Sequence, residues 1–226
     1  MLKLPVRIAR DTDIFHVNGI LEEVRNLIML ETAKSNYDHR PTMPDRVKQL
    51  FPHMLERDQL QYARFKRAVT KVLQPESLVE IGTGWGVSAR AFLDGHPDLR
   101  FHGIDNGEMG VPPEEVLGDL IGPKVTLETV ETDALASLTP AGWSEVDLIH
   151  IDGGHGREQK ARDIVKALQS RPTWILVDDI HDVMVAAGTF DGLYRAAANP
   201  LRMLSFENSH TGNLLIFANQ REAVER

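Results

Sequence analysis

Two hydrophobic periodicities divide the chain near residue 76. Upstream of it, apolar residues recur at helical spacing. In "DIFHVNGILEEVRNLIMLETAK", Ile14, Val17, Ile20, Leu21, Val24, Leu27, Ile28 and Leu30 fall toward one face. "MLERDQLQYARFKRAVTKVL" repeats the habit with Leu60, Ala63, Phe65, Ala68, Val69 and Val72. The intervening "SNYDHRPTMPD" is polar, carries two prolines, and predicts a loop or lid. Downstream, short apolar runs alternate with helical stretches. "SLVEIG", "RFHGID", "KVTLETV", "VDLIHID" and "TWILVDD" read as strands, most of them ending in a polar or acidic residue beside a helix start. That alternation predicts an α/β fold with a doubly wound, mostly parallel sheet covered by helices on both faces. "LRMLSFE" and "GNLLIFAN" are separated only by "NSHT", too short for a crossover helix, so they are expected to form an antiparallel hairpin at the C-terminus. The expectation is therefore a seven-stranded sheet preceded by N-terminal helices, with residues 1–50 as a helical lid or acceptor segment and 51–226 as one ligand-binding unit.

Composition narrows the function classes. At 226 residues and 42% apolar, the chain can bury one sizeable core. Net charge is -8, with Lys and Arg scattered, so the basic patch of a nucleic-acid binder is absent from the sequence and no nucleic-acid partner is expected. No run approaches the roughly 18 to 20 apolar residues of a bilayer span, and "MLKLPVRIARDTD" turns charged too early for a signal peptide. A cytoplasmic protein without a membrane partner is the expectation. With no cysteine, any metal must rest on oxygen or imidazole ligands. The apolar N-terminal helices leave room for a homodimer contact.

Ligands of open α/β sheets bind at the carboxyl ends of the strands. In "VEIGTGWGVSARAFL" the first strand ends at Gly82, and Gly84 and Gly86 keep the turn free of Cβ atoms where a ligand could approach before a helix begins. About twenty residues on, Asp105 ends the next strand, where an acid can accept both hydroxyls of a ribose. Asp133 of "ETDAL" follows the third strand, as an acceptor for an adenine amino group or as a helix N-cap.

These features together resemble the class I S-adenosylmethionine-dependent methyltransferases over about residues 50–219, with their Rossmann-like fold. The resemblance implies that the glycine-rich loop passes the methionine part of the cofactor, that Asp105 holds its ribose, and that Glu80 is the acid at the start of the loop. The cofactor-binding set is then Glu80, Gly82, Gly84, Gly86, Asp105, Asp133 and Asp152. An NAD-dependent oxidoreductase would also use a glycine-rich turn and a ribose acid. Against it stand the missing G-x-G-x-x-G spacing, the late start of the loop and the closing hairpin.

The later strand ends add a second constellation. "DLIHIDGGH" supplies Asp152, and "TWILVDDIHD" supplies Asp178 and Asp179. On neighbouring strands, three carboxylates converging on a cleft repel one another unless a cation joins them or one is protonated, and oxygen ligation suits Mg²⁺ or Mn²⁺. This pattern resembles small metal-dependent O-methyltransferases, including those acting on sugar hydroxyls, with Asp152, Asp178 and Asp179 at the metal-ligand positions. Ile180 and His181 depart from that branch, which usually carries an aromatic there. His155 is the first candidate for the general base and His181 the second, whereas His150 and His102 read as packed or hydrogen-bonded neighbours. Tyr37, Asp38, His39 and Arg40 are the expected acceptor contacts, and His210 and Asn213 are weaker candidates at the hairpin. Trp85 and Trp174 read as packing residues. The combined expectation is methyl transfer to a small hydroxylated acceptor, with a saccharide preferred over a catechol or phenol. The alternatives are an oxidoreductase or a noncatalytic nucleoside-binding module.

Overall fold

A computed structural model describes residues 14–196, 202–207 and 211–218. Its seven strands are β1 (Ser77–Ile81), β2 (Arg100–Asp105), β3 (Val125–Thr129), β4 (Leu148–Ile151), β5 (Trp174–Asp178), β6 (Arg202–Phe206) and β7 (Asn213–Phe217). They form one sheet in the order β3-β2-β1-β4-β5-β7-β6. Neighbours from β3 through β5 are parallel, while β7 runs antiparallel to both β5 and β6. The predicted architecture and the closing hairpin are thus both present. Every residue of β1, β4 and β5 is buried, as parallel strands covered on two faces require.

The helices are α1 (Ile14–Lys34), α2 (Asp45–Leu50), α3 (Arg57–Leu73), α4 (Val87–Gly95), α5 (Pro113–Leu117), α6 (Arg157–Gln169) and α7 (Val183–Ala196). One face of the sheet is covered by α3 and α4, with α1 packed on α3, and the other by α6 and α7. On α1 the stripe Leu21, Val24 and Ile28 enters the core shared with α3 and the sheet, but Leu30, expected on that face, is exposed. On α3 the predicted Ala63, Phe65, Ala68 and Val69 are buried, and Tyr62 and Lys66 join them. Gly188 and Gly192 let α7 lie close against α6: a Cβ at either would stand within 2.7 Å of a backbone oxygen of α6. No helix among the described residues is long and apolar enough to cross a membrane.

Candidate active site

Strand order reverses between β1 and β4, and the carboxyl ends there open onto a cavity of about 480 Å³. Its lining includes Gly82, Gly84, Trp85 and Asp105 at or beyond the ends of β1 and β2, and Asp152, His155, Asp178 and Asp179 at or beyond the ends of β4 and β5. His53, Met54, Gln59 and Tyr62, from the segment leading into α3 and from α3 itself, complete the wall.

The glycine-rich loop is shaped by close approach. Gly82 has φ +83°, and a Cβ there would lie 2.6 Å from both the Asp152 carbonyl oxygen and the Gly153 nitrogen. Gly84, at φ +47°, meets nothing within 4 Å in the same test, so its surroundings are open. The Asp105 carboxylate accepts from Gly84 N at 2.8 Å and from Gly107 N at 2.7 Å, which fixes the acid against the loop. Trp85 packs on Phe51 with ring centres 4.5 Å apart and planes tilted by 34°, and its buried indole N–H has no hydrogen-bond partner among the described residues. Packing explains the ring but not that donor, which is available to a ligand. An acid at a ribose position, an open glycine turn and an unmet donor fit a nucleoside cofactor.

Beneath this loop runs a buried polar chain. Glu80 Oε1 lies 2.9 Å from His150 Nδ1, and His150 Nε2 lies 2.9 Å from Lys66 Nζ. Lys66 also donates to Asn213 Oδ1 at 2.7 Å and pairs with Asp178 Oδ2 at 3.0 Å. Burial pushes the Glu80 carboxyl up to about 8, and burial with the nearby Lys66 charge holds His150 well below the usual imidazole range. The pair therefore carries its proton on Glu80 near neutrality, and His150 Nδ1–H donating to Glu80 leaves Nε2 to accept from Lys66.

At the cavity wall, Tyr62 donates its hydroxyl to Asp152 Oδ2 at 2.7 Å. Burial first, and Asp178 second, hold Asp152 well above the usual carboxylate range, and the same causes raise Asp179. Asp179, a non-glycine residue at φ +58°, turns its carboxylate to within 3.3 Å of His155 Nε2. The expected trio of ligands is not drawn together as such. Among the described residues, the group with donor atoms within 4.8 Å of one another is His150, Asp152 and Asp178. Two of its members, His150 and Asp178, are already bonded to Lys66. Asp178 Oδ1 further accepts from Thr211 Oγ1 at 3.0 Å and Asp179 N at 2.9 Å. The residues thus fit a divalent cation in part: Asp152 and Asp179 remain hard oxygen donors on the cavity wall.

Residues 79–180 match a family model described as a methyltransferase domain. The chain has the class I methyltransferase fold. TomG of Streptomyces achromogenes, an O-methyltransferase involved in tomaymycin synthesis and solved with S-adenosylmethionine, is 16% identical, with 86% of this chain and 96% of that chain covered at a TM-score of 0.61. The S-adenosylhomocysteine-bound methyltransferase PaMTH1 of Podospora anserina is 14% identical, with 91% and 96% covered at 0.57. An O-methyltransferase of Bacillus cereus, bound to the same product, is 17% identical, with 88% and 90% covered at 0.54. No curated protein matches the sequence significantly.

Within this methyltransferase fold, Glu80, Gly82, Gly84, Asp105, Asp152, His155, Asp178 and Asp179 stand at or directly beneath the cavity, whereas Gly86 is outside the lining, at the start of α4 and close against Val116 and Leu117. Others fall elsewhere. Asp133 is exposed and pairs with Arg162 at 3.1 Å, away from the cavity lining. His181 packs its ring over Gly212, and its N–H bonds Thr211 O, outside the lining. None of the four residues of the polar segment is in the lining: Asp38 is tied to Arg40, His39 is buried with Nε2 2.9 Å from the carbonyl oxygen of the cavity residue Met54, and Tyr37 lines a second cavity with Arg90, Leu93 and Asp94. Asn213 is buried as a partner of Lys66, and His210 lies outside the described residues. His102 bonds Thr126 and Trp174 packs on Phe217, as expected of structural neighbours. Trp85 both packs and lines the cavity. Sequence reasoning missed Tyr62, Lys66, His53, Gln59 and Gln159. For the first two a signal existed: Tyr62, Lys66, Val69 and Leu73 repeat at the helical spacing of a buried face.

Proposed function

We propose that the protein is an S-adenosylmethionine-dependent O-methyltransferase acting on a hydroxyl of a small polyhydroxylated acceptor, a saccharide, with Mg²⁺ or Mn²⁺ at the acidic wall. The observation that carries this reading is that one cavity is lined both by the Gly82–Gly84 turn with Asp105 and by Asp152, His155 and Asp179. When bound, S-adenosylmethionine supplies a methyl group on a sulfonium, and its neutral leaving group needs no acid. When bound, a divalent cation lowers the pKa of an acceptor hydroxyl. The chain's own residues then have two tasks, to orient the acceptor oxygen and to take its proton.

His155 suits the second task. Asp179 beside Nε2 orients the imidazole, leaving Nδ1 to receive the hydroxyl proton as the new O–C bond forms. Asp152, held by Tyr62, presents a fixed oxygen on the same wall. His53, Gln59 and Gln159 line the cavity with hydrogen-bonding groups, which favours a polyol over a flat phenol.

The test is isothermal titration with S-adenosylhomocysteine and with NAD, each with and without Mg²⁺, followed by methyl transfer to sugar and catechol panels. Binding of S-adenosylhomocysteine and transfer to a sugar hydroxyl are expected. Tight NAD binding without a response to S-adenosylhomocysteine overturns the reading, and transfer to catechols alone overturns the saccharide.

A further inference from the structure

Lys66 is a long cationic side chain with no exposed surface, reaching from α3 to the ends of β4, β5 and β7. Its three partners, His150 Nε2, Asn213 Oδ1 and Asp178 Oδ2, match the three N–H bonds of an ammonium. The Tyr62 ring covers it at 4.7 Å from the centroid. The Tyr62 hydroxyl meanwhile bonds Asp152, so one helix of the N-terminal region reaches both strand-end acids.

The lysine lies where a third metal ligand would be recruited. His150 and Asp178, two of the three donors close enough to share an ion, are bonded to Lys66 Nζ, and the second oxygen of Asp178 is taken by Thr211 and Asp179 N. A divalent ion beside Asp178 would face a fixed positive charge across a buried space, where repulsion is poorly screened.

We propose that Lys66 is a resident cation that withdraws Asp178 from metal ligation, so that a divalent ion is held by Asp152 and Asp179 alone and less tightly than three carboxylates would hold it. Lys66 is then a positioning residue that sets metal affinity. The proposal rests on the methyltransferase reading for its purpose, but its geometry does not depend on which acceptor is used.

The experiment measures Mn²⁺ binding to the full chain by titration calorimetry and by the electron paramagnetic resonance of free Mn²⁺. Parent, Lys66→Met, Asp178→Asn and Asp152→Asn are compared, and S-adenosylhomocysteine binding is followed in parallel. Removing the ammonium while keeping the stem's bulk should tighten Mn²⁺ binding at least about tenfold, or create it where the parent shows none, a size usual for groups that tune a metal's ligands. In the parent background, Asp152→Asn should weaken Mn²⁺ more than Asp178→Asn does. A folded Lys66→Met with unchanged or weaker Mn²⁺ affinity overturns the proposal. Equal losses from Asp178→Asn and Asp152→Asn overturn it as well, and that comparison decides if Lys66→Met does not fold. Loss of S-adenosylhomocysteine binding in the parent would fail the methyltransferase reading, while the Mn²⁺ comparison would still judge Lys66.

Discussion

The Tyr62 hydroxyl donates to Asp152 Oδ2 at 2.7 Å across 90 positions of sequence. This bond ties α3 to the carboxyl end of β4 and fixes the orientation of an acid on the cavity wall. Tyr62→Phe keeps the ring and removes only the donor. We expect a loss of about 1–2 kcal/mol in denaturant unfolding, since a buried bond to a carboxyl is broken. Turnover should fall about tenfold through the freed Asp152, with S-adenosylhomocysteine affinity changing little. Unfolding curves and a steady-state comparison of parent and variant check both numbers. An unchanged turnover would sink the positioning role.

Gly82 and Gly84 both adopt positive φ, yet their substitution should differ sharply. At Gly82 a methyl group would strike the backbone of Asp152 and Gly153 at 2.6 Å, and backbone cannot move aside cheaply. Gly82→Ala is expected to cost about 3 kcal/mol or more and to disrupt the loop. At Gly84 nothing lies within 4 Å of the new atom and only the left-handed conformation is penalised, at about 1 kcal/mol. Thermal unfolding of the two variants gives the ranking, and equal losses would refute the close-approach argument.

The fold was legible because the central strands are short, largely apolar runs and the last two strands are too close for a crossover. The acids at strand ends were legible for the same reason: topology alone brings Asp105, Asp152, Asp178 and Asp179 to one rim. The course of the polar segment was not. Whether Tyr37 to Arg40 lie over the cleft depends on where α1 and α3 turn, and no local pattern encodes that. The burial of His39 against Met54 and the Asp38–Arg40 pair hold the segment in a course that keeps all four side chains out of the cavity lining. Lys66 was passed over because a lysine beside Arg67 reads as a solvated position, although its helical register places it with Tyr62 and Val69.

His155 and His181 were rival bases, and their surroundings now separate them. His155 lines the cavity with Asp179 at its Nε2, whereas His181 packs on the hairpin turn outside the lining. His155→Ala is expected to lower kcat by about 10²-fold or more, the usual contribution of a positioned base. His181→Ala should retain at least about half the parental rate, a surface-scale effect. Measuring kcat for both across pH 6 to 9 decides the matter: a loss confined to His181→Ala reverses the assignment.

Asp163 on α6 offers a test of the fold's electrostatics away from the cavity. The side chain is 1% exposed, one carboxyl oxygen has no hydrogen-bond partner among the described residues, and burial raises its pKa from 3.8 to about 6. In the unfolded chain the carboxyl gives up its proton near pH 3.8, while the folded protein keeps it until about pH 6. Between those values the folded state binds more protons, so stability falls as pH rises, and the loss is complete above the folded pKa. The shift corresponds to about 3 kcal/mol at most, spread over that window. Asp163→Asn preserves the shape and removes the titration. The stability difference between parent and variant should therefore move in the variant's favour by about 2–3 kcal/mol between pH 4 and pH 7. Other titrating groups are common to both proteins and cancel. Urea unfolding at closely spaced pH values measures this difference directly. A difference that stays flat across the window would show that Asp163 is solvated in the folded protein.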